Sequence, residues 1–336
     1  KMPQAALKTA KATGESLTGK VKENEERRKT LNDVPTAFIP VHNASVDALA
    51  TVAMLNCLQP PAVAQARVLE IGCHSGANLL AQAMYIPDAS FVGIDSDQEA
   101  IRQGRTAIDA IGLDNIALFD LDICEADDQL GTFDYIICNN VYSYVDDTTR
   151  QAILDFCNHH LSDTGVAMVS FNALPGYRNM EGLRDLMQYA NAYNPQDSYS
   201  TRLGRAKAVA EMVLRRKEKD PVLSQTQAGE IAAWKQFLQA DDAVLNITYI
   251  NEHNDAFTFY HFINEFQKHD LIYVSDMNMN KSIFAIYPQE FQDDLQEMSQ
   301  GNHLIKEQLY DYIVGTDYRM ALLARKSQER FVTYSE

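Results

Sequence analysis

We predict an α/β protein built on a doubly wound, mostly parallel sheet. Short apolar runs of strand length alternate with amphipathic stretches of helical length over residues 45–171. This rhythm is typical of parallel sheets flanked by helices. A glycine-containing turn, Gly72–Gly76, directly follows the first run. Because open sheets of this kind bind ligands at the carboxyl ends of their strands, we expect the functional site there.

Five apolar runs are predicted as strands of this sheet: Arg67–Ile71, Ser90–Ile94, Ile116–Phe119, Tyr135–Cys138 and Val166–Phe171. The stretches between them have helical spacing at 77–85, 97–111 and 148–161. An earlier helix is predicted over Ser45–Leu58, and the pair Pro60-Pro61 ends it because proline cannot continue a helix.

The alternation stops after Phe171. Amphipathic helices are predicted next, over Glu181–Tyr193, Arg202–Lys217 and Gln227–Leu238. Strand-like runs return at Leu271–Ser275, Ser282–Tyr287 and Met320–Ala324. We interpret the chain as one α/β domain whose later strands are separated by helical inserts. A second domain with its own core is the alternative.

Composition narrows the possible partners. The chain has 336 residues and a formal net charge of −17, although residues 1–30 carry eight Lys and Arg against four Glu. An acidic body repels phosphate backbones and attracts cationic groups. We therefore expect no nucleic-acid partner and favour a basic or lysine-bearing one, with solubility alone as the alternative. Residues 1–31 are predicted to form a basic N-terminal arm. The sequence does not predict an oligomeric state.

The apolar and cysteine patterns predict the compartment. No apolar run approaches the roughly 18 to 20 residues of a membrane span, so we expect no span and a cytoplasmic protein. The five cysteines are scattered and form no CxxC pair. Neither they nor the histidines have metal-ligand spacing, so we predict no metal site and no disulfide framework.

The turn after the first strand is the first part of a predicted ligand site. Gly72 permits a tight turn close to a ligand, and Gly76 opens the next helix. The helix N-terminus suits a carboxylate, and Glu70 suits an ammonium group. A dinucleotide fingerprint requires GxGxxG, but His74 and Ala77 occupy its later positions, which argues against NAD.

Three further strand ends add polar groups. Asp95 ends the second strand, where an acid can accept hydrogen bonds from two ribose hydroxyls, while Asp97 is explained as a helix cap. After the third strand, Asp122 or Asp120 is placed to accept an adenine amino group, and we choose Asp122. The fourth strand delivers the pair Asn139-Asn140 to the same edge.

With these motifs the sequence resembles the class I S-adenosylmethionine-dependent methyltransferases. More narrowly, it resembles bacterial members with a methyltransferase regulatory domain, some of which are protein-lysine methyltransferases. The likeness covers roughly residues 32–326, and its most specific parts are DYIICNNVYSYV and VSFNALPGY. Relatives usually carry glycine where this chain has His74. The family implies a seven-stranded Rossmann-like sheet, with Val274 and Leu322 in its sixth and seventh strands.

The resemblance also implies a division of the chain and a set of site residues. After the arm come a cofactor-binding core (32–175), a helical lid or regulatory-type region (176–260) and the last strands with a second insert (261–336). Carried over by position, the residues expected to bind S-adenosylmethionine are Glu70, Gly72, Cys73, Gly76, Asn78, Asp95, Ser96, Asp122, Ile123 and Asn139. Those expected to serve the methyl acceptor are Tyr142, Tyr144, Asn172 and Tyr177.

These residues favour an enzyme that methylates lysine side chains of a protein. Methyl transfer is an in-line displacement in which alignment supplies much of the catalysis. Polar and aromatic groups on the strand-end loops suit a desolvated, neutral amine. Two alternatives stay open: a small-molecule methyltransferase, and a non-catalytic scaffold that senses the cofactor or binds a partner.

Overall fold

A twisted sheet forms the centre of the protein. The computed structural model describes residues 41–240 and 242–332, so the predicted arm at 1–31 lies outside the described residues. In the described part of the chain the sheet has eight strands, in the order β3-β2-β1-β4-β5-β8-β7, with the short β6 beside β5. The strands are β1 (Arg67–Ile71), β2 (Ser90–Asp95), β3 (Ile116–Asp120), β4 (Phe133–Cys138), β5 (Leu161–Ala173), β6 (Ala256–Phe257), β7 (Leu271–Asp276) and β8 (Tyr318–Arg325).

The strand order places a ligand crevice beside β1. Strands β1 to β5 pair in parallel, whereas β8 is antiparallel to both β5 and β7. Ile71, the last residue of β1, lies opposite Ile94 of β2 and Cys138 of β4. The chain therefore winds outward in both directions from β1, and the crevice opens at the carboxyl ends of β1 and β4.

Helices cover both faces of the sheet and form the inserts. They are α1 (Val46–Leu55), α2 (Ala77–Tyr85), α3 (Gln98–Ile111), α4 (Asp147–His160), α5 (Arg178–Asn191), α6 (Tyr199–Lys219), α7 (Pro221–Thr226), α8 (Ala228–Leu238), α9 (Asp242–Leu245), α10 (Phe259–Gln267), α11 (Gln289–Ser299) and α12 (His303–Val314). As predicted, Asp97 caps α3: its carboxylate accepts the backbone N–H groups of Glu99 and Ala100, both at 3.0 Å.

Apolar side chains form a separate core on each side of the sheet. One contains Phe171 and Phe262, whose rings stack at 4.1 Å, and the other contains Phe91 and Leu322. Burying a side chain of this size stabilises the fold by roughly 1.5–3 kcal/mol. Helices α5, α6 and α8 bury a third cluster around Trp234. The long insert thus has a core of its own.

The structure corrects one sequence prediction about strands and adds one strand. The run Ser282–Tyr287 is not a strand; within it Phe284–Ile286 forms a 3₁₀ turn that buries Phe284 against Tyr310. The two-residue β6 was not predicted, because a pair of residues leaves no periodic signal. Val274 and Leu322 do lie in the last two long strands, β7 and β8. Within residues 41–240 and 242–332, none of the helices combines the length and the hydropathy that a membrane span requires.

Candidate active site

The loop after β1 requires glycine at two positions. Gly72 has a φ angle of +71°, and a Cβ there would lie 2.3 Å from Cγ2 of Val141. Gly76 has a φ angle of +74°, and a Cβ there would lie 2.8 Å from Cδ1 of Leu118. Both angles fall in the left-handed region that side chains disfavour. The loop therefore packs directly against the segment after β4.

Glu70 places a buried carboxyl group beneath this loop. Its Oε1 accepts a hydrogen bond of 3.0 Å from Nδ2 of Asn78, whereas Oε2 is buried with no hydrogen-bond partner in the described structure. Burial raises the pKa of Glu70 to about 8, the Asn78 hydrogen bond opposes this rise, and the neighbouring Asp95 adds to it. A buried, unpaired carboxyl oxygen is suited to a cationic ligand.

Asp95 organises the other side of the same loop. Its two carboxylate oxygens accept backbone N–H groups, from His74 at 2.7 Å and from Asp97 at 2.8 Å. Burial raises the pKa of Asp95 to about 6, although these two bonds oppose the rise. His74 has a φ angle of +51°, so the middle position keeps the backbone conformation of a glycine. The bond to Asp95 stabilises that conformation.

The segment after β3 carries the two candidate adenine ligands. Asp122 is half-buried and accepts the backbone N–H of Cys124 at 2.9 Å, which caps the short turn Ile123–Glu125. Asp120 lies opposite Asp95 in the register of β2 and β3. Ile123 is buried and provides an apolar surface beside them. The choice between the two acids stays a prediction.

The remaining predicted cofactor residues differ in their exposure. Cys73 is buried with its thiol beside Gly93, and Ser96 is exposed at the end of β2. Asn139 is half-buried, and its Oδ1 lies 2.9 Å from the hydroxyl of Tyr318. These positions agree with a ligand that lies across the ends of β1 to β4. Their contacts with the cofactor stay predictions.

The chemistry of this cleft fits S-adenosylmethionine. The cofactor has an ammonium group, which suits the unpartnered oxygen of Glu70. It also has a carboxylate, which suits the backbone N–H groups at the N-terminus of α2, where no side chain caps the helix. Its ribose hydroxyls suit Asp95. No group of His, Cys, Asp and Glu able to hold a metal ion occurs within the described ranges.

A second cluster of polar side chains lies beyond the end of β5. Asn172 is buried; its Nδ2 donates to Oδ1 of Asn254 at 2.9 Å, and its Oδ1 accepts from the Tyr144 hydroxyl at 3.5 Å. Nδ2 of Asn254 in turn donates to the Tyr177 hydroxyl at 2.7 Å. The buried hydroxyl of Tyr249 lies near the hydroxyls of Tyr144 and Tyr177 and has no hydrogen-bond partner in the described structure. We call these five residues the tyrosine–asparagine cluster.

This cluster contains three of the four predicted acceptor residues. The fourth, Tyr142, is 1% exposed, and its ring packs edge-on against Phe257 and Phe262 in the core. Tyr142 and Tyr144 belong to one 3₁₀ turn, in which residues two apart point in different directions. The turn therefore directs the side chain of Tyr144 to the cluster, whereas the side chain of Tyr142 packs in the core.

Two members of the cluster escaped sequence analysis, Asn254 and Tyr249. They precede β6, about 80 residues after Asn172 along the chain, and no motif announces them. An Asn and a Tyr in an irregular segment are common, and their chemistry becomes visible only when the fold brings them beside β5. The pairing of Asn172 with Ala256 in the short β6 is what brings this segment there.

Two arginines hold the segment 251–255 in place. Arg150 on α4 forms an ion pair of 2.9 Å with Asp255. Arg184 on α5 donates to the backbone oxygens of Asn251 at 2.7 Å and Glu252 at 2.9 Å. The side chain of Asn251 also donates to the Tyr144 backbone oxygen at 3.2 Å. Asn254 therefore lies in a segment that is held before it by contacts of Asn251 and Glu252 and after it by the ion pair of Asp255.

Comparisons with known proteins agree with this geometry. A family model described as "Methyltransferase domain" matches residues 69–167, and one described as "Predicted methyltransferase regulatory domain" matches residues 241–325. The solved structure of PKMT2 from Rickettsia typhi in complex with AdoHcy superposes with a TM-score of 0.76 and 27% identity, covering 87% of this chain and 55% of that one.

Curated sequences show the same relationship. The uncharacterized protein RP789 of Rickettsia prowazekii is 32% identical over 87% of this chain and 52% of its own length. A second Rickettsia prowazekii protein, the uncharacterized RP028, is 36% identical over 42% of this chain and 56% of its own length. The chain thus spans about half the length of the curated relatives it matches.

The fold, the cleft and the two matching domains together define the class. The chain has the fold of the class I S-adenosylmethionine-dependent methyltransferases, and residues 69–167 match the methyltransferase domain model. It shares with part of that class a region that matches the predicted methyltransferase regulatory domain, residues 241–325.

Proposed function

We propose that the protein transfers a methyl group from S-adenosylmethionine to the side-chain nitrogen of lysine residues in a protein substrate. The observation that carries the proposal is the tyrosine–asparagine cluster, whose five side chains are uncharged hydrogen-bonding groups beside the cofactor edge. The neighbour PKMT2 is named as a protein-lysine methyltransferase, and it shares 27% identity over 87% of this chain. The net charge of −17 favours basic partners.

When bound, S-adenosylmethionine supplies a methyl group on a positively charged sulfur. The cluster then has to orient a nitrogen lone pair and keep water away from it. Hydroxyl and amide oxygens accept hydrogen bonds from an amine, which aims its remaining lone pair along a defined direction. Tyr249 is suited to this contact because its buried hydroxyl has no other partner in the described structure.

The cluster is not built to remove the proton of a lysine. Burial raises the pKa values of Tyr177 and Tyr249 above the ordinary value of tyrosine, so both hydroxyls stay protonated at neutral pH. The lysine, with an ordinary pKa of about 10.4, must therefore lose its proton before it enters the site. We expect kcat/KM for a lysine substrate to rise by nearly tenfold per pH unit between about pH 7 and 9.

Methyl transfer from labelled S-adenosylmethionine tests the proposal. Lysine-rich proteins should become labelled, the same proteins with acetylated lysines should not, and the label should be found on lysine after hydrolysis. Label that appears in a small-molecule extract and never in protein would contradict the lysine assignment.

Variants of the cluster test the site. We expect Asn254→Ala and Tyr177→Phe each to lower kcat by about tenfold or more, since a small misplacement of the acceptor is costly. Their affinity for S-adenosylhomocysteine should not change. Tyr142→Phe is the matched control, because that ring packs in the core, and it should keep the parental kcat. Equal losses in all three variants would mean that the cluster has no special role.

A further inference from the structure

Asn78 occupies a position between the cofactor cleft and the segment that precedes α1. Its side chain makes three hydrogen bonds that use both ends of the amide. Nδ2 donates to Oε1 of Glu70 at 3.0 Å and to the backbone oxygen of Ala44 at 3.1 Å, while Oδ1 accepts the backbone N–H of Val41 at 3.3 Å. One side chain thus joins the buried carboxyl group to residues 41–44.

A second amide on α2 holds the same segment without touching the carboxyl group. Oε1 of Gln82 accepts the backbone N–H of Val46 at 2.9 Å. Its Nε2 lies 3.4 Å from the backbone oxygen of Ala44 and 3.2 Å from that of Asn78. The segment 41–46 therefore docks on α2 through two side chains, of which Asn78 also contacts Glu70.

The three contacts of Asn78 argue for an indirect role. Both of its amide hydrogens have acceptors and its oxygen has a donor, so the side chain is committed before any ligand arrives. We propose that Asn78 is a positioning residue that couples cofactor binding at Glu70 to the docking of residues 41–46. The proposal rests on the cofactor assignment and not on the identity of the methyl acceptor.

The coupling follows from the charge of the hydrogen-bond acceptor. An ammonium group beside Oε2 favours the ionised form of Glu70, and a hydrogen bond to a carboxylate is roughly twice as strong as one to a neutral group. The bond from Asn78 is thereby strengthened, which fixes the amide in the orientation that also binds Ala44 and Val41. By linkage, docking of the segment raises cofactor affinity by the same factor.

Amide hydrogen exchange over residues 41–48 measures this coupling directly. Saturating S-adenosylhomocysteine, confirmed by calorimetry, should slow exchange in the parent protein by about fivefold or more, the lower end of typical couplings. The N–H groups of Val41 and Val46 are the informative ones, since Asn78 accepts the first and Gln82 the second.

Three variants separate coupling from simple loss of structure. In Asn78→Ala, residues 41–48 should exchange faster than in the parent both with and without S-adenosylhomocysteine, and the ratio of the free to the ligand-bound exchange rate should be near one. This variant should also bind the ligand about fivefold more weakly. Gln82→Ala is the matched control: exchange should be faster, but the ligand-dependent ratio should remain. Glu70→Gln keeps an acceptor for Asn78 and cannot ionise, so docking should persist while the ratio falls.

The outcomes are distinct. A parent protein that binds S-adenosylhomocysteine without any change in exchange at 41–48 overturns the proposal, as does Asn78→Ala with the full parental ratio. A folded parent protein that produces no heat with the ligand contradicts the cofactor assignment itself. Loss of the ratio in Asn78→Ala and its retention in Gln82→Ala supports the proposal.

Discussion

Replacing Arg319 with Met should reveal how α12 is joined to the sheet. Arg319 lies on β8 and is fully buried. Its guanidinium group binds both carboxylate oxygens of Asp311 at 2.8 Å and Oε2 of Glu307 at 2.6 Å. Asp276 at the end of β7 lies 3.5 Å away. One cation on β8 therefore binds two acids of α12 and lies beside one acid of the neighbouring strand β7.

The magnitude follows from the burial of all partners. Removing one member of a buried ion pair costs about 3–5 kcal/mol, because the other charge is left without compensation. Although burial opposes it, Arg319 holds the pKa of Glu307 below its usual value. In Arg319→Met that carboxyl group keeps His303, 2.8 Å from its Oε1, but loses its strongest cationic partner, so its folded-state pKa rises above the unfolded value. The folded variant then binds a proton that the unfolded chain has lost.

This proton gives the destabilisation a pH dependence with a definite sign. Stability falls as pH rises wherever the folded state binds more protons, by about 1.4 kcal/mol per unit for one group. Between pH 5.5 and 7.5 the free energy of unfolding of Arg319→Met should fall by about 2–3 kcal/mol relative to the parent.

Urea unfolding at the two pH values measures both effects. Arg325→Met is the matched control on the same strand, because its ion pair with Asp163 spans 3.5 Å and Asp163 is fully exposed. That variant should lose at most about 1 kcal/mol, independent of pH. If Arg319→Met costs no more than the control, or its penalty is the same at both pH values, the account of the buried network is refuted.

Two further predictions concern the cofactor cleft. In Gly104→Ala the new Cβ would lie 2.3 Å from the backbone oxygen of Ser75, so the free energy of unfolding should fall by about 1–3 kcal/mol and the affinity for S-adenosylhomocysteine should also fall. The control Gly204→Ala has open space around the new Cβ and should be neutral or stabilising. Equal urea midpoints for the two variants would count against the close packing of α3. Because the pKa of Glu70 is raised to about 8, binding of the ligand's ammonium group at neutral pH requires Glu70 to lose a proton, and the affinity for S-adenosylhomocysteine should increase by up to tenfold per pH unit from pH 6 to 7.5. Calorimetry should show a flatter pH profile for Glu70→Gln. A parent protein whose affinity does not change with pH would contradict this proton release from Glu70.

Much of the region from β1 to β5 was predictable because its signals are local. The tight turn at Gly72, the cap at Asp97 and the acid at the end of β2 each follow from a few adjacent residues. Alternation of apolar runs and helical stretches is enough to place the first five strands. The predicted and observed strands coincide at β1 and differ elsewhere by one or two residues, except that β5 begins five residues earlier, at Leu161 and not at Val166.

The acceptor side was less predictable because distant segments build it. Tyr144 and Asn254 are joined through Asn172, and the three lie on separate elements. The Tyr-Ser-Tyr pattern could not reveal that a 3₁₀ turn sends Tyr142 into the core and Tyr144 to the cluster. The run Ser282–Tyr287 shows the converse, since apolar residues suited to a strand were used to bury a turn. The division of the chain into a core, a lid and last strands stays a prediction.

Calorimetry with S-adenosylhomocysteine tests the central claim, a cofactor site at the carboxyl ends of β1 and β2. We predict binding by the parent protein, and affinity at least tenfold weaker in Asp95→Ala, which removes the expected ribose acceptor. Asp97→Asn keeps the cap of α3 and should bind like the parent. No heat at millimolar ligand in folded protein, or an unchanged affinity in Asp95→Ala, would contradict the account.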